Sequence, residues 1–142
     1  MIKKILVSTD GSDYSRRALS TAIEYAKQFN SEIELFHVVS QPPPGMYDYT
    51  ITDYIPISEE RGNEMGEQIL NATLKGMDVS QVIVSKKTVT GYPASEIIDE
   101  IKRGFDLVVM GSRGHRPLVG AVLGSVTQRV LADAPCPVLV VK

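Results

Sequence analysis

Five short runs rich in Val, Ile and Leu leave few folds open to this chain: Ile5 to Val7, Leu35 to Val39, Val82 to Val84, Leu107 to Met110 and Val138 to Val141. A strand that meets water on one face alternates apolar and polar residues, whereas one covered on both faces is apolar at successive positions. The first run and the last two are of the second kind, which predicts strands buried on both faces of a parallel sheet.

Between the runs the apolar spacing becomes helical. From Asp13 to Asn30, the residues Ala18, Leu19, Ala22, Ile23, Ala26 and Phe29 share one stripe, and Ser12 or Asp13 is placed to cap its start. Ile57 to Gly76 reads as a weaker helix, because Gly62 and Gly66 fall in its first turns. Pro93 to Arg103 carries Ala94, Ile97, Ile98 and Ile101 on one face, with Pro93 near the first helical position, and Ser125 to Ala132 is the last helix. Strands that alternate with helices predict an α/β fold, a doubly wound sheet with helices on both faces and right-handed crossovers. A length of 142 residues suits one domain, 1–142, around one core. Ser40 to Pro56 interrupts the pattern with seventeen residues that include PPPG and three tyrosines. It reads as a surface excursion, with a lid or partner-binding loop as the alternative.

In open α/β sheets ligands bind at the carboxyl ends of the strands, where the strand order reverses. Two turns share a plan suited to that place: ILVSTDGS at Ile5 to Ser12 and LVVMGSRG at Leu107 to Gly114, each a buried strand running into a polar, glycine-containing bend. The second bend continues as MGSRGHRPLVGAVLGSVTQRV, with Gly111, Gly114, Gly120 and Gly124 between two apolar runs. Its spacing is G-x2-G-x9-G-S. Glycine lets main-chain N–H groups approach an anion without a Cβ in the way and allows positive φ. A helix start adds unpaired donors and the positive end of its dipole, and the Ser125 hydroxyl adds one more. Arg113, His115 and Arg116 lie inside the bend, so the arrangement suits a phosphate. The plainer reading is a solvated loop followed by an ordinary helix cap.

Asp10, closing the first strand, reads either as a turn or helix-capping carboxylate or as an acceptor for a ribose hydroxyl or a phosphate-bound metal. Val38 reads as core, or as a position whose main-chain groups meet an adenine edge. Other sites are absent by pattern. There is no G-x4-G-K-[ST] and no G-x-G-x-x-G at the first helix, so a P-loop hydrolase or a Rossmann dehydrogenase is not expected. No G-x-S-x-G elbow suggests a hydrolytic triad, and His37 and His115 are too isolated to suggest a metal cluster.

Charge narrows the partners. With 15 Lys+Arg against 17 Asp+Glu, the formal charge of -2 gives no general attraction to a polyanion, so neither nucleic acid nor a membrane surface is expected. No stretch approaches the roughly 18 to 20 apolar residues of a membrane span, and MIKKILVSTDGS turns polar too early for a secretory signal, which predicts a cytoplasmic protein. The one cysteine, Cys136 between Pro135 and Pro137, excludes an intrachain disulfide or a cysteine zinc cluster and reads as an inert buried thiol.

Taken together, Gly111-x2-Gly114-x9-Gly124-Ser125, the flanking DLVVMG and SVTQRVLADAPCPVLVVK, the opening ILVSTDGSDYSRRAL, FHVV at Phe36 to Val39 and GYPASEII at Gly91 to Ile98 resemble the universal stress protein family. The likeness runs from Ile2 to Lys142. It implies an adenine nucleotide alpha-hydrolase-like fold, with a five-stranded parallel sheet in the order 3-2-1-4-5, and a dimer. In the family's nucleotide-binding branch, ATP lies across the ends of strands 1 and 4. Carried over, Ser8, Thr9 and Asp10 would line the adenosine side, Asp10 toward the ribose or a phosphate-bound Mg²⁺, and Val38 would meet adenine through its backbone. Met110 and Gly111 would floor the pocket. Ser112, Arg113, Gly114, His115, Arg116 and Pro117, with Gly124, Ser125, Val126 and Thr127, would wrap the ribose and phosphates. Arg113 and His115 fill positions that vary in the family, and Ser40 to Pro56 lies where it varies most.

The expected function is that of an ATP- or AMP-binding regulatory protein whose occupancy, with Mg²⁺, alters its loops or dimer and hence an unidentified protein partner, with slow or no hydrolysis. The rivals are a true ATP hydrolase or phosphotransferase using Asp10 and Arg113, and a nucleotide-free interaction module. An apolar final strand at a sheet edge exposes unpaired main-chain groups, so a homodimer through Val138, Leu139, Val140 and Val141 is expected. The alternative has the tyrosine-rich excursion folding back over that edge.

Overall fold

A computed structural model of the chain describes residues 1–41, 56–115, 120 and 122–142. Nine elements follow in chain order: β1 (Lys4–Ser8), α1 (Asp13–Phe29), β2 (Glu32–Ser40), α2 (Glu59–Leu74), β3 (Ile83–Gly91), α3 (Pro93–Ile101), β4 (Leu107–Gly111), α4 (Ser125–Asp133) and β5 (Val138–Val141). The strands form one sheet in the order β3-β2-β1-β4-β5, parallel throughout, as expected.

The apolar runs divide between two faces. Ile5 and Val7 of β1 point to α1 and α2, where Ala18, Leu19, Ala22, Ile23, Leu35 and Leu70 join them. Leu6 between them points the other way, into a cluster with Phe36, Ile97, Ile101, Val108 and Val130 under α3 and α4. Consecutive burial in β1 and β4 is therefore the mark of a sheet covered on both sides. The Ser12 side chain caps α1 by accepting the Ser15 N–H, and Ser58 does the same for α2 with Arg61.

Two expectations need correction. The third strand is not confined to Val82 to Val84: β3 runs Ile83–Gly91, in register with β2 from Glu32↔Ile83 to Ser40↔Gly91. Its polar residues hid it. As an edge strand it has one neighbour, and its lysines find partners across the helices: Lys86 pairs with Glu67 and Lys87 with Glu100. The last run, expected to be buried on both faces, is only half-buried at all four residues of β5, because it forms the opposite edge. Cys136 is half-buried beside the cluster under α3 and α4, and burial, with the charge of Asp106, raises its thiol pKa.

The segment Ser40 to Pro56 falls largely on residues 42–55, outside the described residues, and Arg116 and Pro117 lie outside them as well. Among the described residues, no helix is long and apolar enough to cross a membrane.

Candidate functional site

The chain builds β1, β2 and β3 outward in one direction, then returns to lay β4 on the other side of β1. Helices leave the carboxyl ends of β1 and β4 on opposite faces, which opens a crevice there. Three segments meet at it: the turn after β1, the bend after β4, and the first turn of α4.

Asp10 ties the first two together. Its Oδ1 accepts the Ser12 N–H at 2.9 Å and the Ser15 hydroxyl at 2.7 Å, while Oδ2 accepts the His115 main-chain N–H at 3.1 Å. Burial pushes its pKa up, but the hydrogen bonds from Ser12, Ser15 and His115 outweigh that and hold the carboxyl below its ordinary value. Asp10 is therefore an anion at neutral pH. Both sequence readings of this residue are compatible with the geometry: one oxygen organises the turn and the start of α1, and the other faces the glycine bend.

The bend closes against this carboxylate. A methyl group at Gly114 would run into Asp10 Oδ2, so only glycine allows the approach. The His115 ring completes the contact, with Nε2 at 2.8 Å from the Asp10 carbonyl oxygen. A carbonyl only accepts, so Nε2 carries the proton. The bend's glycines work mainly by lacking a side chain: of the four, only Gly120 has a positive φ, at 81°.

α4 supplies donors. It opens on Gly124, whose N–H is already bonded to the Ser112 carbonyl at 2.7 Å, and no side chain caps it. The main-chain N–H groups of Ser125, Val126 and Thr127 have no helical acceptor ahead of them, and Ser125 is exposed. This differs from α1 and α2, where a serine occupies the position. An uncapped helix start beside a glycine bend is a place for an anion.

Several predicted residues meet here through the main chain alone. Thr9 is 4% exposed and its hydroxyl is turned to α2, 2.8 Å from the Thr73 hydroxyl. The Thr127 hydroxyl donates to the Gly111 carbonyl at 2.8 Å, and Met110 is core. Ser112 is buried, with its N–H on the Val141 carbonyl. Ser8 is half-buried at the last residue of β1, and Val126 packs on the cluster under α3 and α4. The Val38 side chain is core, and its main chain faces the crevice. Thr9 N–H on the Phe36 carbonyl is the last rung toward β1, and Gln41 N–H on the Gly91 carbonyl turns toward β3. Alternation along the strand then directs the Val38 N–H and C=O past the end of β1.

Arg113 lines a neighbouring hollow of about 460 Å³ on the β5 side of the bend, with Tyr14, Ser112, Val122, Leu123, Val140 and Lys142. His37 was missed as a member of the site. Its Nδ1 lies 2.7 Å from the Thr9 carbonyl and donates to it, which pins the turn leading to Asp10. Burial lowers its pKa against the opposing pull of the Thr9 bond and the Asp10 charge. Its place beside Val38 at the carboxyl end of β2 was the available signal.

The donor set suits an anion. Among the described residues, no group of three or more His, Cys, Asp or Glu side chains is placed to hold a metal, so a cation here would rely on ligands from a bound phosphate besides Asp10.

Residues 1–142 match the model of the universal stress protein family. Among curated proteins, the chain is 36% identical to Universal stress protein MJ0531 of Methanocaldococcus jannaschii, over 100% of this chain and 83% of that protein. It is 33% identical to Universal stress protein YxiE of Bacillus subtilis, over the full length of both. Two solved structures share the fold: a universal stress protein in complex with cAMP, at TM-score 0.66 and 22% identity over 99% of this chain and 96% of that one, and one from Archaeoglobus fulgidus in complex with dAMP, at TM-score 0.61 and 18% identity over 100% and 98%.

Proposed function

This chain belongs to the universal stress protein family, and from that premise we propose that it binds an adenine nucleotide, ATP or AMP, at the crevice between β1 and β4. Two folds like this one hold cAMP and dAMP, which supports the adenine class. The observation that carries the reading is the uncapped start of α4 beside a bend that Asp10 holds in place.

In this reading the N–H groups of Ser125, Val126 and Thr127 and the Ser125 hydroxyl receive the phosphates. The Val38 main chain offers one donor and one acceptor to the adenine edge, and Asp10 serves the ribose or a Mg²⁺ carried in on the phosphates. Bound Mg²⁺ supplies neutralisation of phosphate charge. Asp10 is a weak base because its pKa is depressed, so the reading carries no step in which it activates water. The protein then acts as a regulator whose loop and dimer states follow nucleotide occupancy, in the cytoplasm, with Val138, Leu139, Val140 and Val141 as the dimer contact.

Isothermal titration with ATP and Mg²⁺ tests the site. A Cβ at Gly124 would sit 3.5 Å from the Arg113 Cα, an ordinary contact, so Gly124→Ala should fold and bind. The branched side chain of Gly124→Val would add methyl groups against the main chain of Ser112, Arg113 and Gly114, crowd the glycine bend and should weaken binding at least about tenfold, or about 1.4 kcal/mol. Affinity equal to the parent's would displace the site. Mass spectrometry of ligand released by denaturing the purified protein identifies the nucleotide.

A further inference from the structure

On the α3 face of the sheet, toward the amino ends of the strands, three charged side chains from three elements meet. Lys87 of β3 donates from Nζ to both oxygens of Glu100 on α3, at 3.0 and 2.8 Å, and Glu100 is only 7% exposed. Glu34 of β2 brings its carboxyl within hydrogen-bond reach of Glu100, and its Oε1 is buried with no hydrogen-bond partner. Arg103, just beyond α3, adds positive charge nearby. On the same face Lys4 of β1 and Glu32 of β2 lie two register pairs closer to the amino ends of the strands, and both are exposed. α1 and α2 pack on the opposite face.

Two carboxylates in contact repel unless a proton lies between them. Lys87 neutralises one negative charge, and Glu100, which it grips, is the group that keeps that charge. Glu34 is then the acid, donating to Glu100. With the proton in place the buried cluster is close to neutral. Without it, a second negative charge stands in a half-buried seam with a buried oxygen unsatisfied, an arrangement that disfavours the packed state.

We propose that one proton shared between Glu34 and Glu100 clamps α3 onto the sheet, and that its release loosens this seam, giving the fold a proton-operated switch away from the candidate nucleotide site. Burial first, and then the contact with Glu100, raise the Glu34 pKa from 4.5 to about 7. Burial also favours the neutral form of Glu100, but its bonds from Lys87 and Glu34 outweigh that and keep its pKa low. A pKa raised by folding means that the folded state holds the proton more tightly. The stabilisation is fully present below the unfolded value and is lost as pH rises through the folded one. α3 leads into β4, whose carboxyl end carries the glycine bend, so loosening reaches the element that bears the crevice.

The experiment compares the intact parent with Glu34→Gln, which keeps a neutral donor in place of the acid. Exchange rates of the α3 amides should agree between the two at about pH 4, below the unfolded value, and the parent should exchange at least about fivefold faster than the variant at about pH 8. Equal rates at both pH values would overturn the proposal. Carboxyl ¹³C resonances of the parent give a second reading that does not depend on the variant folding. Glu34 should titrate near neutrality, and a midpoint in the ordinary glutamate range, about 4.3, would equally overturn it.

Discussion

At Gly66 one methyl group would land on the Thr88 side chain, because α2 lies directly against β3 there, and Gly62 meets Thr90 one turn earlier. Helix propensity taken alone favours replacing a glycine by alanine, by about 1 kcal/mol. Overpacking costs about 1–3 kcal/mol. The two effects have opposite signs, and Thr88, held in an interior contact, has little room to move. Gly66→Ala should therefore be less stable than the parent by about 1 kcal/mol in urea titration, and a more stable variant would show that α2 can stand off the sheet. In sequence these two glycines read only as weak points in a helix. Their use depends on which strand faces them, and no local pattern carries that. Asp10 was legible as a pivot because it ends a buried strand before a glycine. His37 was not, since its partner, the Thr9 carbonyl, lies 28 residues away.

Among the elements, β5 shows how a ladder directs a surface. The Val108 N–H bonds the Pro137 carbonyl, and the Ser112 N–H bonds the Val141 carbonyl. Alternation places the main-chain groups of Val138 and Val140 on the outer side, away from β4. Proline at 140 would remove an outward N–H while leaving the bonds to β4, a position edge strands tolerate. Val140→Pro should remain folded by circular dichroism and run as a monomer in light scattering, where the parent should run as a dimer. A dimer that survives the change would place the contact elsewhere. β1 and β4 were legible because burial on both faces writes itself as continuous apolar sequence, and β2 was legible as the shorter run Leu35 to Val39. β3 was not beyond its first residues, since an edge strand covered by charged helices needs no such run: Lys86 and Lys87 meet Glu67 and Glu100 across the sheet.

For the whole molecule, a ligand that binds only the folded state stabilises it by mass action, by about 2.7 kcal/mol at a hundredfold excess over Kd. In a chain of 142 residues that corresponds to a melting temperature higher by several °C, on the order of 5–15 °C. Differential scanning calorimetry with ATP and Mg²⁺ should show this rise for the parent and little of it for Gly124→Val, and no shift in the parent would remove the nucleotide reading. The sequence by itself determined the parallel α/β architecture, the placing of a crevice at β1 and β4, and the glycine bend beside it, because periodic burial and a missing Cβ are properties of neighbouring residues. Only the tertiary structure decided which donors the bend can offer: the His115 N–H belongs to Asp10 and the Gly124 N–H to Ser112, which leaves the first turn of α4. The same holds for the seam where Lys87 meets Glu100 and Glu34 buries an oxygen. A hydrogen bond satisfies a group through whatever lies opposite in space, and chain order does not record what that is.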